Sequence, residues 1–141
     1  MTVTSEATTV WHGSLMEGSG ETTLATSGAA TLPVDWTARS QGSATTTTPE
    51  ELLGAAHSAC FSMALSNALA TNGTPPTELT VTAAVTFAPG TGITGSHLLL
   101  TGSVPGVDEA QFLAIAEDAK ANCPVSQALA GIPITLEASL A

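Results

Sequence analysis

One helix constrains this chain more than any other feature: "TPEELLGAAHSACFSMALSNALA", from Thr48 to about Ala70. Thr48 is a good N-cap, and Pro49 suits the first helical position. Glu51, three residues after the cap, completes a capping box. Small and apolar residues follow until "TNGTPP" (71 to 76) stops the helix. A helix that only fills a core needs no cysteine in its middle. It also needs no histidine one turn earlier and no adjacent glutamates at its start. Cys60, His57, Glu50 and Glu51 therefore ask for an explanation from the rest of the chain.

The flanking segments read as sheet. "TTVWH", "TTLATS" and "TLPVDW" are short apolar alternations in a Thr-, Ser- and Gly-rich first 40 residues, and they predict a meander of three strands. "GSATTTT" (42 to 48) reads as a loop. After the helix, "LTVTAAVTF" (79 to 87) sets Val81, Ala83, Val85 and Phe87 against Thr80, Thr82 and Thr86, the pattern of a strand with one buried face. "APGTG" turns it into a second strand over about 93 to 104. "DEAQFLAIAEDAKANC" is a helix with an acidic first turn and Lys120 in its last, as the macrodipole favours. Cys123 and Pro124 break it, "VSQALAG" reads as a short helix, and "IPITLEASL" alternates as a final strand. The expected fold is α+β: a mostly antiparallel sheet with a long central helix carrying the first cysteine. With 141 residues the chain has room for one domain, 1 to 141, and is short for two.

Composition excludes several partners. The net charge is −10, with Arg39 and Lys120 as the only Lys or Arg side chains against twelve acidic ones. So few cations cannot neutralise a run of phosphates, which argues against nucleic acid and against an anionic membrane surface. No stretch approaches the ~20 apolar residues of a membrane span. The start, "MTVTSEATTVWHG", lacks the basic end and apolar run of a signal peptide, so a cytoplasmic location is expected. In that reducing setting, two cysteines 63 positions apart are not expected to form a permanent staple. They are inert core thiols or redox-active ones.

Cys60 on an apolar helix fits a buried small hydrophobe. Three features weigh the other way: His57 one turn earlier, a second cysteine, and Arg39 shortly before the helix. A thiolate at neutral pH needs positive charge or N–H donors nearby, because a free cysteine has a pKa of about 8.5. Arg39, Lys120, a histidine or a helix N-terminus are the available sources. Cys123 opens the last short helix, where unpaired N–H groups favour a thiolate, so local structure alone makes Cys123 the more acidic thiol. "CPVS" is not a C-x-x-C, and nothing has the spacing of a structural zinc site. A metal site of Cys60, Cys123 and His57 stays open as an alternative. His12 and His97 lie on expected strands beside no other ligand types and read as structural.

The two glutamates differ physically. Glu51 is the one a capping box uses. Glu50 either gains only from the helix dipole or orients Arg39. Glu50 and Cys60 are ten residues apart, about 15 Å along one straight helix, and cannot share a site within it. Were two copies to cross antiparallel near Ala55, Glu50 of one would lie beside Cys60 of the other. Gly54, Ala55, Ala56, Ser58 and Ala59 are small enough for a close approach. A glutamate serving the cysteine thus requires a site built across a symmetric dimer.

"TPEELLGAAHSACFSMAL" together with "AKANCPVSQAL" resembles the osmotically inducible protein C / organic hydroperoxide resistance (OsmC/Ohr) family. The resemblance covers residues 36 to 141 and reaches the first 30 only through "WHG" and their strand-rich character. It is nearer the OsmC branch, with His57 before Cys60 and Arg39 just ahead of the loop to the helix. The chain departs from many members in having almost no lysine and no tyrosine. The resemblance implies an intertwined homodimer with sites at the subunit interface, working as a thiol peroxidase in oxidative and osmotic stress. It matches Cys60 to the peroxidatic cysteine, Cys123 to the resolving one, Arg39 to the arginine holding the thiolate, and Glu50 to that arginine's carboxylate. This assignment overrides the local ranking of the thiols, because Cys60 then has the charged partners. His57 and Glu51 remain secondary candidates.

The implied cycle uses no cofactor and no metal. Cys60 becomes a sulfenic acid, Cys123 closes a disulfide, and an external dithiol of the lipoyl type, or small thiols in its place, reopens it. Leu53, Phe61 and Met63 are the apolar neighbours expected to favour organic hydroperoxides over hydrogen peroxide. Two rival readings are a non-catalytic dimeric binding or stress protein with core cysteines, and a Cys/His metal-binding protein.

Overall fold

The computed structural model describes residues 1–141, which fall into two compact units, Met1–Pro49 and Glu50–Ala141.

In the first unit, β1 (Thr8–His12), β2 (Ser19–Thr23) and β3 (Thr31–Val34) form an antiparallel sheet in the order β1-β2-β3. The meander is as expected, except that the middle strand is "SGETT" and not "TTLATS". Thr22 is the one buried residue on its strands, while β1 is exposed along its whole length. Val10 is 55% exposed, and Leu15 and Met16 on the following turn are exposed too. A helix the pattern did not predict, α1 (Trp36–Gln41), follows β3. The reason is a cap: the Asp35 carboxylate accepts the Ala38 amide N–H at 2.7 Å, satisfying a first-turn donor. Arg39 stands in the last turn of α1. Thr47 then returns to β3, its amide donating to the Pro33 carbonyl at 3.2 Å.

The second unit carries the main core. The helix α2 (Pro49–Thr71) buries Glu50, Gly54, His57, Phe61, Leu65 and Leu69, spaced by three or four and so aligned on one stripe. β4 (Glu78–Ala88) and β5 (Gly92–Ser103) form the expected hairpin. β6 (Ile134–Leu140) adds parallel to β5, giving the order β4-β5-β6. Three of the four strand pairings in the chain are therefore antiparallel, divided between two three-stranded sheets. α3 (Glu109–Asn122) and α4 (Pro124–Ala128) lie between β5 and β6 in the chain. Phe61, Leu65 and Leu69 of α2 cluster with Leu98 and Leu100 of β5 and with Phe112, Ala116 and Ala119 of α3. At about 25 cal/mol per Å² of apolar surface, this cluster is the main stabilising element of the unit.

Three expectations change. Phe61 is fully buried in that cluster and does not line an open pocket, whereas Met63, two residues on, is 72% exposed. Gly54 does not serve a helix crossing: it faces the sheet, and a Cβ built on it meets the Ala83 carbonyl oxygen of β4 at 2.8 Å. Ala55, Ala56 and Ala59 are the small residues that stay exposed. By length and composition α2 is also apolar enough to cross a membrane, with a mean hydropathy of 1.2 over an 18-residue window, contrary to the expectation that no stretch approaches that limit. Alanines raise the average, and the stripe that includes Glu50 and His57 is packed into a protein core.

Gly54→Ala is expected to lower stability by roughly 1–3 kcal/mol despite alanine's better helix propensity, because α2 must move off β4 to admit the methyl group. Urea unfolding measures it; a stabilised variant would show that the close approach of α2 to β4 is not a constraint.

Candidate functional site: two thiols beside a buried imidazole

Cys60 and Cys123 come together although they are 63 positions apart in the chain. Cys60 lies in the middle of α2, half-buried, and packs against the core; Cys123 is fully buried at the junction of α3 and α4. Helix stop and helix start produce that junction. The Cys123 amide N–H closes α3 on the Ala119 carbonyl at 2.9 Å, and Pro124, which has no N–H to donate, opens α4. No disulfide joins them; Cys60 packs against the core cluster that holds Cys123, and each thiol bears on the ionisation of the other.

The environment of the pair is unequal. Burial pushes the Cys60 pKa up against the opposing pull of the Val125 amide, and the neighbouring Cys123 thiol adds to the rise. Burial also disfavours ionisation of Cys123. It is outweighed there by the Ser126 amide, the Cys60 thiol, the Ser126 hydroxyl and the Val125 amide, so the Cys123 pKa is lowered. Within this unit Cys123 is the more acidic thiol, as local structure alone suggests, and Cys60 is the more accessible one.

His57 is completely buried. Its Nδ1 shares a 2.7 Å hydrogen bond with Ser96 Oγ on β5, and its Nε2 a 2.8 Å hydrogen bond with Ser126 Oγ on α4. One imidazole thereby ties α2 to the sheet and to the segment that presents Cys123. Both ring nitrogens are committed to hydroxyls, which weighs against the alternative of His57 as a metal ligand with the two thiols. Burial lowers the His57 pKa from 6.5. Ser96 and Ser126 were not among the residues the sequence singled out. Ser126 had a readable signal, since it sits three residues after an N-cap; Ser96, 39 positions from His57, had none.

The other predicted residues are placed as follows. Glu50 is 5% exposed at the start of α2, and Glu51 beside it faces solvent. Arg39 stands on α1 in the other unit. His12 lies on β1 and His97 on β5, the latter sharing a 2.6 Å hydrogen bond through Nδ1 with Thr135 Oγ1.

Because burial lowers the His57 pKa below the 6.5 of an unfolded histidine, the unfolded chain binds the extra proton first as pH falls. Stability is thus full above that pH and declines below it, by up to about 1.4 kcal/mol per pH unit. Denaturant midpoints measured from pH 7 to about pH 5.5 check this. A flat profile would mean that His57 takes up its proton without disturbing the fold.

Comparison with known proteins adds independent findings. A family profile described as OsmC-like protein matches residues 41–137. The chain is 39% identical over 143 aligned positions to the peroxiredoxin OsmC of Escherichia coli (strain K12), spanning 99% of both chains. Its fold is similar to that of the organic hydroperoxide resistance protein OhrB of Bacillus subtilis, with a TM-score of 0.76 at 21% identity over 97% of this chain and 98% of the other. It is also similar to an OsmC-like protein of Mycoplasma pneumoniae, with a TM-score of 0.73 at 17% identity over 99% of each chain. These two structures speak to the fold alone.

Proposed function

Since the chain belongs to the OsmC-like protein family, matched over residues 41–137, we propose that it is a cysteine-based peroxidase of stress defence that reduces organic hydroperoxides through Cys60 and Cys123. The observation that carries this reading is that the fold gathers Cys60 and Cys123 into one cluster, the first accessible and the second buried with a lowered pKa.

The cycle runs as follows. The Cys60 thiolate attacks one oxygen of the peroxide, the O–O bond breaks, and the leaving alkoxide takes a proton to become the alcohol. Cys60 is left as a sulfenic acid. The Cys123 sulfur then attacks the Cys60 sulfur, and the hydroxyl leaves as water while a disulfide forms. An external dithiol, of the lipoyl type, restores both thiols by exchange and is itself oxidised. Accessibility supports Cys60 as the first nucleophile, because a peroxide cannot reach the fully buried Cys123 sulfur. Its raised pKa means Cys60 needs a cation to ionise. Arg39, oriented by Glu50, fills that role in this reading, with Glu51 left to cap the helix.

The working unit is an intertwined homodimer in which the two compact units act as one OsmC-like domain. Exposed apolar side chains support it: Val10, Trp11, Leu15 and Met16 in the first unit and Met63 on α2 all gain from a covering partner. Exposed Ala55, Ala56 and Ala59 let a second α2 come close. Met63 and Leu53, without Phe61, are the apolar residues left to meet an organic substrate. A cytoplasmic location is part of this reading, because a reducing compartment is where such thiols are regenerated.

Single-turnover oxidation of the reduced protein by cumene hydroperoxide and by hydrogen peroxide tests the cycle. Both thiols should vanish, with a mass loss of two hydrogens and a faster reaction for the organic peroxide. Cys60→Ser is expected to abolish turnover, and Cys123→Ser to allow one oxidation before stalling or over-oxidising. An exchange of those two outcomes would make Cys123 the first nucleophile and overturn the assignment by accessibility. Thiols that survive both oxidants in the folded protein would return the chain to a non-catalytic binding role.

Arg39→Ala should raise the Cys60 pKa and slow oxidation roughly tenfold or more, a neighbouring opposite charge being worth about 1–3 pKa units. An unchanged Cys60 titration in the folded variant would remove Arg39 from the site.

A further inference from the structure

We propose that Ser96, His57 and Ser126 form a buried proton relay that takes the proton from Cys123 as this cysteine attacks the oxidised Cys60. The proposal rests on the two-cysteine reading above and gives a task to the one buried imidazole that the cycle leaves unused.

The geometry restricts how the protons are arranged. A neutral imidazole has one donor nitrogen and one acceptor nitrogen, and each serine hydroxyl has a single proton. With Ser96 on Nδ1 at 2.7 Å and Ser126 on Nε2 at 2.8 Å, the bonds run in one direction or the other. In one direction Ser96 O–H donates to Nδ1, Nε2–H donates to Ser126 Oγ, and the Ser126 proton is free to point at Cys123. In the other, Ser126 O–H donates to Nε2 and Nδ1–H donates to Ser96, leaving Ser126 Oγ able to accept the proton of Cys123. Ser126 is the third residue after Cys123, the N-cap of α4, so both lie in the first turn of that short helix. The influence of the Ser126 hydroxyl on the Cys123 sulfur is felt in the lowered Cys123 pKa.

The step balances without an added reagent. As Cys123 attacks the sulfenic sulfur, its proton passes to Ser126 Oγ while the Ser126 proton passes to His57 Nε2. Nδ1–H stays on Ser96, and the transient imidazolium is matched by the charge developing on sulfur. The S–O bond of Cys60 breaks, and the departing hydroxide combines with the proton released by His57 as water. Thiol plus sulfenic acid becomes disulfide plus water. Few other charges compete at His57: α4 carries none, β5 brings His97 one residue along on the opposite face of the strand, and α2 brings Cys60 and, two turns earlier, Glu50. Burial keeps His57 neutral at rest, so it is available as an acceptor.

In this relay Ser126 meets the reacting sulfur, His57 acts through Ser126, and Ser96 fixes the ring; the test separates these roles from mere packing. In a Cys60→Ser background, thiolate absorbance followed against pH reports Cys123 alone. Ser126→Ala is expected to raise its midpoint by about one pH unit, and Ser126→Thr, which keeps the hydroxyl, to restore it. In the two-cysteine protein, stopped-flow oxidation should show the disulfide-forming step slowed about tenfold by Ser126→Ala relative to the sulfenic-acid-forming step. The slowed step should also gain a rise with pH that the parent lacks. His57→Gln, if folded, should slow the same step; should it not fold, Ser126→Ala carries the test. An unmoved Cys123 midpoint, or a disulfide-forming step that Ser126→Ala leaves unchanged, overturns the relay. The titration needs no peroxide. A protein inert to hydroperoxides would therefore overturn the peroxidase reading, and the resolving step with it, whereas an unmoved titration overturns the relay alone.

Discussion

Two hydrogen bonds to one buried imidazole hold the site together. His57 on α2 bonds to Ser96 on β5 and to Ser126 on α4, so three elements distant in the chain are fixed at a single point. A buried polar ring is costly unless both nitrogens are satisfied, and removing either hydroxyl leaves an orphaned group costing about 1–3 kcal/mol. The bond to Ser126 matters most for chemistry, because α4 begins at Cys123. Holding α4 against α2 is what places the second thiol beside the first.

Inequality between the thiols follows from that placement. Cys60 lies within a continuous helix whose own amides are already bonded, so burial dominates and its proton is held. Cys123 lies where one helix ends and another begins, where the amides of Val125 and Ser126 are turned toward it. An accessible thiol that needs help to ionise and a buried one whose ionisation the surrounding donors favour suit successive steps of one cycle. The first must meet a peroxide, and the second need only meet the first.

How legible this was differs from residue to residue. The caps were plain: Thr48, Pro49 and Glu51 marked the start of α2, and the hairpin and the last two helices followed from alternation and from Cys123-Pro124. The helix α1 was missed because its only signal was Asp35, read as the end of a strand. The face of α2 that turns inward was also hidden, since alanine, serine and glycine go all the way round it. Gly54 could thus be assigned to a helix crossing when it meets β4, and Phe61 to a pocket when it fills the core.

By itself the sequence determined the α+β class, the order of nearly all elements, the two cysteines and the family. These depend on local caps, on periodicity and on motifs a few residues long. Only the tertiary structure decided that His57 answers to Ser96 and Ser126, that Cys123 is buried while Cys60 is accessible, and that Gly54 belongs to the sheet. Each of those is a contact between elements far apart in the chain. No local preference encodes which hydroxyl, 39 or 69 residues away, will complete the hydrogen bonds of a buried ring.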